Sequence, residues 1–162
     1  MIMEAFTSSP DLVLATLIGA AGVYGLVGGS ARLRSLVLAT YVGIVLAEVH
    51  TNTLLPFLGS LGKDGIALLL LAIPVVVFMV PRHKGHGEKG HPLVNGVVGL
   101  AAGAFLVAAG LHVILPSTEA VLAPNSSLAT ALLPVYTWLV LGMPVVALLP
   151  HFWKKSGKSD KH

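Results

Sequence analysis

The chain contains no cysteine among its 162 residues, which excludes disulfide staples and thiolate metal or redox centres. Charge is almost as scarce. Asp, Glu, Lys and Arg together make up 10% of the residues, against 55% that are hydrophobic, and the mean hydropathy is +0.87. A water-soluble domain of this size needs more charged surface than that. Hydrolytic signatures are also missing. No HExxH, GxSxG or paired-aspartate pattern occurs, so no nucleophile with its base and no acidic metal cluster is in evidence. The chain reads as a non-enzyme with no cofactor.

Long apolar runs are what the sequence has in abundance. A helix needs about 20 residues to cross the hydrocarbon core at 1.5 Å per residue. Five segments approach that length: 11–29, 35–52, 65–81, 93–115 and 129–149. The second is the least apolar, because Glu48 lies near its end, and Pro56 is expected to stop it. LLPFLGSLG (54–62) is too short to span and reads as an interfacial or re-entrant piece. The expected fold is all-α, a polytopic transmembrane helical bundle. Residues 1–150 form its single domain, and 151–162 form a basic cytoplasmic tail. The ten residues ahead of the first segment carry Glu4 and no Lys or Arg, so that segment reads as a retained span rather than a signal peptide.

Orientation follows from the cations. Arg32 and Arg34 fall in the first connection, Arg82, Lys84 and Lys89 in the third, and Lys154, Lys155, Lys158 and Lys161 in the tail. Only Lys63 falls in the second connection. Five spans therefore place nine of ten cations on one side, which puts the N-terminus outside and the C-terminus in the cytoplasm. These cations are candidates for contact with lipid headgroups, and Phe152 and Trp153 beside Lys154 suit an interfacial anchor.

Small residues predict the helix contacts, since close packing drives association in lipid. Gly19, Gly22, Gly25, Gly28 and Gly29 lie on the first segment and Gly96, Gly99, Gly103 and Gly110 on the fourth. Gly25 to Gly29 and Gly99 to Gly103 are GxxxG spacings. They imply that the first and fourth segments approach closely, within one chain or across a homo-oligomer. Pro74, Pro134 and Pro144 are expected to kink their helices.

Ionisable groups inside spans point to function because each costs roughly 2.5 to 3.5 kcal/mol at mid-bilayer. Glu48 and His112 are the candidates here, with Asn95 as a neutral polar neighbour. Glu48 and His112 both lie close to the external interface. The pair reads either as a structural interfacial contact or as a proton or cation stop. No charged residue occupies mid-depth, so no continuous relay is visible.

RHKGHGEKGHP (82–92) carries three histidines. His83, His86 and His91, with Glu88, supply enough donors for tetrahedral zinc. Their spacing matches no defined zinc motif, and Gly85, Gly87 and Gly90 raise the ordering entropy of any site. The other reading is a solvated cytoplasmic connection near anionic headgroups. Without an aromatic it offers no stacking platform for nucleic acid. Asn125, Ser126 and Ser127 match a glycosylation sequon and read as a turn.

A glycine-bearing first segment, the turn GGSARLRS, the short LATYVGIVLAE, then KDGIALLLLAIPVVVF and LVNGVVGLAAGAFLVAAG together resemble the colicin V production protein family across residues 11–115. Gly29, Arg32 and Arg34 approximate that family's turn, and Gly99 and Gly103 its glycine spacing. Asn95 and Gly96 stand where the family has an acidic-basic pair, Leu106 where it often has arginine, and the fifth segment is a departure. The resemblance implies a small bacterial inner-membrane protein tied to secretion and envelope homeostasis, and it supplies no catalytic residues. The expected function is an accessory or scaffold component acting by helix packing, with the lipid bilayer and a membrane complex as partners. The alternative is a small transporter or channel subunit moving protons or a cation, with Glu48 and His112 at its external mouth.

Overall fold

A computed structural model describes residues 9–79, 91–114 and 126–156, with side-chain surroundings for 9–79, 91–113 and 126–148. Every described element is helical: α1 (Pro10–Leu58), a 3-10 turn (Gly59–Leu61), α2 (Gly62–Met79), α3 (Pro92–Ile114) and α4 (Ser127–Ser156). Three helical stretches are long and apolar enough to cross a membrane: Pro10–Met79, Pro92–Val113 and Ser127–Leu148. The protein is thus a helical membrane protein by length and composition. His83, His86, Glu88, Arg82, Lys84 and Lys89 lie outside the described residues, as do the side chains of Lys154 and Lys155.

α1 is broken at one residue. Gly29 adopts φ 73° and ψ 178° inside an otherwise helical run, leaving arms at 10–28 and 30–58. A Cβ would strain that backbone, so glycine is the residue that allows the break. The expected polar connection is shorter than GGSARLRS suggested, because Ser30 to Ser35 already belong to the second arm. Arg32 therefore sits on a helix, where its side chain packs over Gly28. The helix also runs two residues past Pro56 to Leu58, so LLPFLGSLG is a helix end and a 3-10 turn. Proline removes one donor and crowds the preceding turn, which ends the helix within a turn rather than at the residue itself. Gly62, at φ 68°, starts α2.

The core forms where α3 meets both arms of α1. A Cβ at Gly25 would lie 2.5 Å from the Asn95 carbonyl oxygen, one at Gly99 2.6 Å from the Ala21 carbonyl, and one at Gly103 2.9 Å from the Ile18 carbonyl. Only glycine permits this backbone-to-backbone seam. The pairs descend along the first arm as they ascend α3, so the two run antiparallel. The second arm follows α3 in the same direction: Leu33 meets Gly25 near Asn95, and Tyr41 meets Phe105 farther along. α2 runs back along the second arm, with Gly43 against the Leu71 backbone and Ala47 clustered with Ile66, Ala67 and Leu70.

Gly22 also lies in the seam, against the Leu100 side chain. Gly19 lies outside it, with nothing within 4 Å of its would-be Cβ, and Gly110 is at ordinary contact distance from Leu71. Phe105, fully buried, centres the main cluster with Leu36, Val37, Ala102 and Met143. α4 is the outer helix. Only 11% of its apolar window is buried, against 56% for α3, and Trp138, Leu141 and Val145 face outward. In a bilayer such a face meets acyl chains at no cost.

Candidate functional site

Three helices bring polar groups together at one end of α3. Tyr41 and Glu48 stand seven residues apart on the second arm of α1, as Phe105 and His112 do on α3. Two helical turns separate each pair, so both members share a face. Tyr136 and Val140 on α4 are four residues apart and likewise share one. The Tyr41 and Phe105 rings pack with centroids 4.9 Å apart at 45°. The His112 imidazole stacks on the Tyr136 phenol at 4.2 Å and 20°.

Val140 explains why Tyr41 is there. In a helix its carbonyl would accept from the backbone N–H four residues on, and that residue is Pro144, which has none. The Tyr41 hydroxyl donates to this carbonyl instead. The orphan acceptor created by proline is thereby satisfied from another helix, as a low-dielectric surrounding demands.

Glu48 and His112 are both exposed. Tyr136 is stacked on His112. His112 lies in the last turn of α3. Asn95 does not join this group. It is 17 residues away along α3, about 26 Å at helical rise. There it is 2% exposed, with no hydrogen-bond partner for its side-chain oxygen among the described residues. Nor do the described residues contain a group of three His, Asp or Glu able to hold a metal. His91 is exposed, and its carbonyl accepts from the Asn95 N–H at the start of α3.

A second polar constellation ties the first arm to α4. The Asp11 carboxylate accepts from the Ser126 hydroxyl at 2.5 Å, the Ser127 hydroxyl at 2.7 Å, and the Ser127 and Leu128 backbone N–H groups at 3.2 and 3.1 Å. The Ser126 hydroxyl in turn accepts from the Ala129 N–H at 3.0 Å, as an N-cap does. An anion at a helix N-terminus satisfies free donors and complements the dipole. The residues matched as a sequon thus serve as a helix cap. A serine pair before an apolar run is a readable cap signal, whereas Asp11, more than a hundred positions away, is not. Tyr41 and Tyr136 are neutral, so neither stands out in the sequence as an intramembrane charge does.

Comparisons with protein-family models, with curated proteins and with solved structures return no match for this chain.

Proposed function

We propose that this chain is a multi-pass protein of the bacterial cytoplasmic membrane that acts as an accessory or scaffold component through helix packing. The observation that carries this reading is the seam between the first arm and α3, where Gly25 and Gly99 bring backbones into direct contact. Binding energy in lipid comes from such packing, and a bundle assembled this way presents outward faces to other membrane helices. The proposed topology has five spans, N-terminus outside. The breaks at Gly29 and Gly62 support it by dividing Pro10–Met79 into three helical segments. The second arm, at about 44 Å, exceeds a 30 Å core and suits a helix that projects or tilts. A role in secretion or envelope homeostasis is part of this proposal, and the sequence resemblance to the colicin V production protein family is what supports it.

Co-purification from native membranes tests the reading. A stable partner that is lost on Gly19→Leu or Leu141→Ser, at the outward faces, and kept on a change at Glu48 supports it. An ion- or pH-dependent flux in proteoliposomes that is abolished by Glu48→Gln would overturn it.

That second outcome defines the other reading, a small transporter or channel subunit for a cation. It is favoured by one observation: the contact of Tyr41 with Phe105 sets Glu48 and His112, each seven residues farther on, toward the same end of adjacent helices, where His112 stacks on Tyr136.

A further inference from the structure

We infer that α4 is hinged in the turn from Val140 to Pro144, and that the Tyr41 hydroxyl is the latch that holds its C-terminal half, residues 141–156, against the bundle. The inference holds for a scaffold and for a transporter alike.

Two residues in one turn loosen the helix there. Pro144 has no backbone N–H to give the Val140 carbonyl, and its ring crowds the turn before it, a common cause of sharp bending. Gly142 lies inside the same turn and adds backbone freedom. Packing does not call for glycine at that position. A Cβ at Gly142 would meet nothing within 4 Å among the described residues, whereas one at Gly25 or Gly99 would strike backbone on the facing helix. The Tyr41 hydroxyl reaches this weak turn from the second arm of α1. Its ring is braced on Phe105, with centroids 4.9 Å apart.

The two halves of α4 are held unequally. The first is tied by polar and aromatic contacts, because Asp11 caps it at Ser127 and Leu128 and Tyr136 stacks on His112. Residues 141–148 carry no polar side chain. Their hold on the bundle is the packing of Met143 and Ala147, 1% and 7% exposed, in the cluster with Leu36 and Phe105. In water, parting that contact would expose apolar surface, but in a bilayer acyl chains take its place with no hydrophobic penalty. One hydrogen bond across helices is then a large part of what keeps this half docked.

Pulsed electron resonance on the full chain in phosphatidylcholine nanodiscs tests the latch, with spin labels on cysteines introduced by Leu12→Cys and Leu148→Cys. Both positions are exposed, and Leu148 lies about 30 Å down α4 from the capped end that adjoins Leu12. A control pair, Leu12→Cys with Val97→Cys, spans the first arm and α3 and leaves α4 out. Tyr41→Phe should add a second distance between positions 12 and 148, raising the ratio of undocked to docked molecules about two- to tenfold. Adding Pro144→Ala should cancel that rise, since the restored N–H takes the Val140 carbonyl. Gly142→Ala alone should narrow the distances, and the control pair should not respond to any of these changes. Distances unaltered by Tyr41→Phe would overturn the latch. A rise that survives Pro144→Ala, or no narrowing on Gly142→Ala, would overturn the hinge. A control pair that broadens as much would mean general loosening and overturn both.

Discussion

Tyr41 donates its hydroxyl proton to the carbonyl of Val140, the acceptor that Pro144 leaves without a helical donor. The relationship predicts a conditional effect. Tyr41→Phe should destabilise the bundle by about 0.5–1.5 kcal/mol, the net worth of one hydrogen bond. In a Pro144→Ala background the backbone N–H restored at that position can reach the same carbonyl, so the loss on Tyr41→Phe should shrink. A double-mutant cycle of unfolding in detergent checks this, and additive losses would show that the phenol and the proline act independently.

Glycines that look alike in sequence should differ sharply on substitution. Gly25→Ala and Gly99→Ala push a methyl group to within 2.6 Å of backbone oxygen on the facing helix, where neither partner can yield. Each should cost about 1–3 kcal/mol, as overpacking does. Gly19→Ala meets open space, and should be neutral or stabilising by up to about 1 kcal/mol through helix propensity. Melting temperatures of the three variants decide the matter.

Asp11→Ala should loosen the start of α4. Amide hydrogen exchange at Ser127 and Leu128 should accelerate, while exchange at the middle of α3 should stay as it is. Asp11→Asn keeps an acceptor oxygen but not the charge, and should fall between Asp11→Ala and the unaltered chain. Equal exchange in all three would show that the carboxylate contributes nothing to the cap.

Orientation is directly measurable because the chain has no cysteine of its own. In the five-span proposal, single cysteines introduced by Gly87→Cys and Lys158→Cys should both resist a membrane-impermeant maleimide in intact cells and react after lysis. A cysteine introduced by Lys63→Cys, on the opposite side, should react from outside. Labelling of position 87 from outside would refute the proposed topology.

Hydropathy made the helices legible because in a bilayer every backbone group must be satisfied within a helix, so apolar length alone is a strong signal. It was less informative about where helices break. Gly28 and Gly29 look equivalent in sequence, and only the second takes the left-handed backbone. Arg32 and Arg34 resembled a loop because they are charged, yet long cations at a helix end can reach the headgroup layer without interrupting the helix. Gly25, Gly99 and Gly103 lie in one seam while Gly19 lies outside it, a difference that glycine spacing does not reveal, since which face turns inward depends on the partner helix. The polar junction was half legible. Glu48 and His112 stand out by charge, while Asn95 fell to the far end of α3. Tyr136 and Tyr41 are visible only once three helices are assembled, because their partners are distant in the chain.

The cap on α4 also orders events in time. Asp11 is made before its last donor, the Leu128 N–H, which lies 117 residues later. At about 5–20 residues per second, that separation is roughly 6 to 23 seconds of synthesis. Over that interval the carboxylate has only water to satisfy it, which favours keeping the start of the first helix at the hydrated surface rather than in hydrocarbon. The arrival of residues 126–128 then exchanges that water for protein donors. The latch that holds the outermost helix can therefore close only once residues 126–128 have been made, and a product truncated before them would lack it.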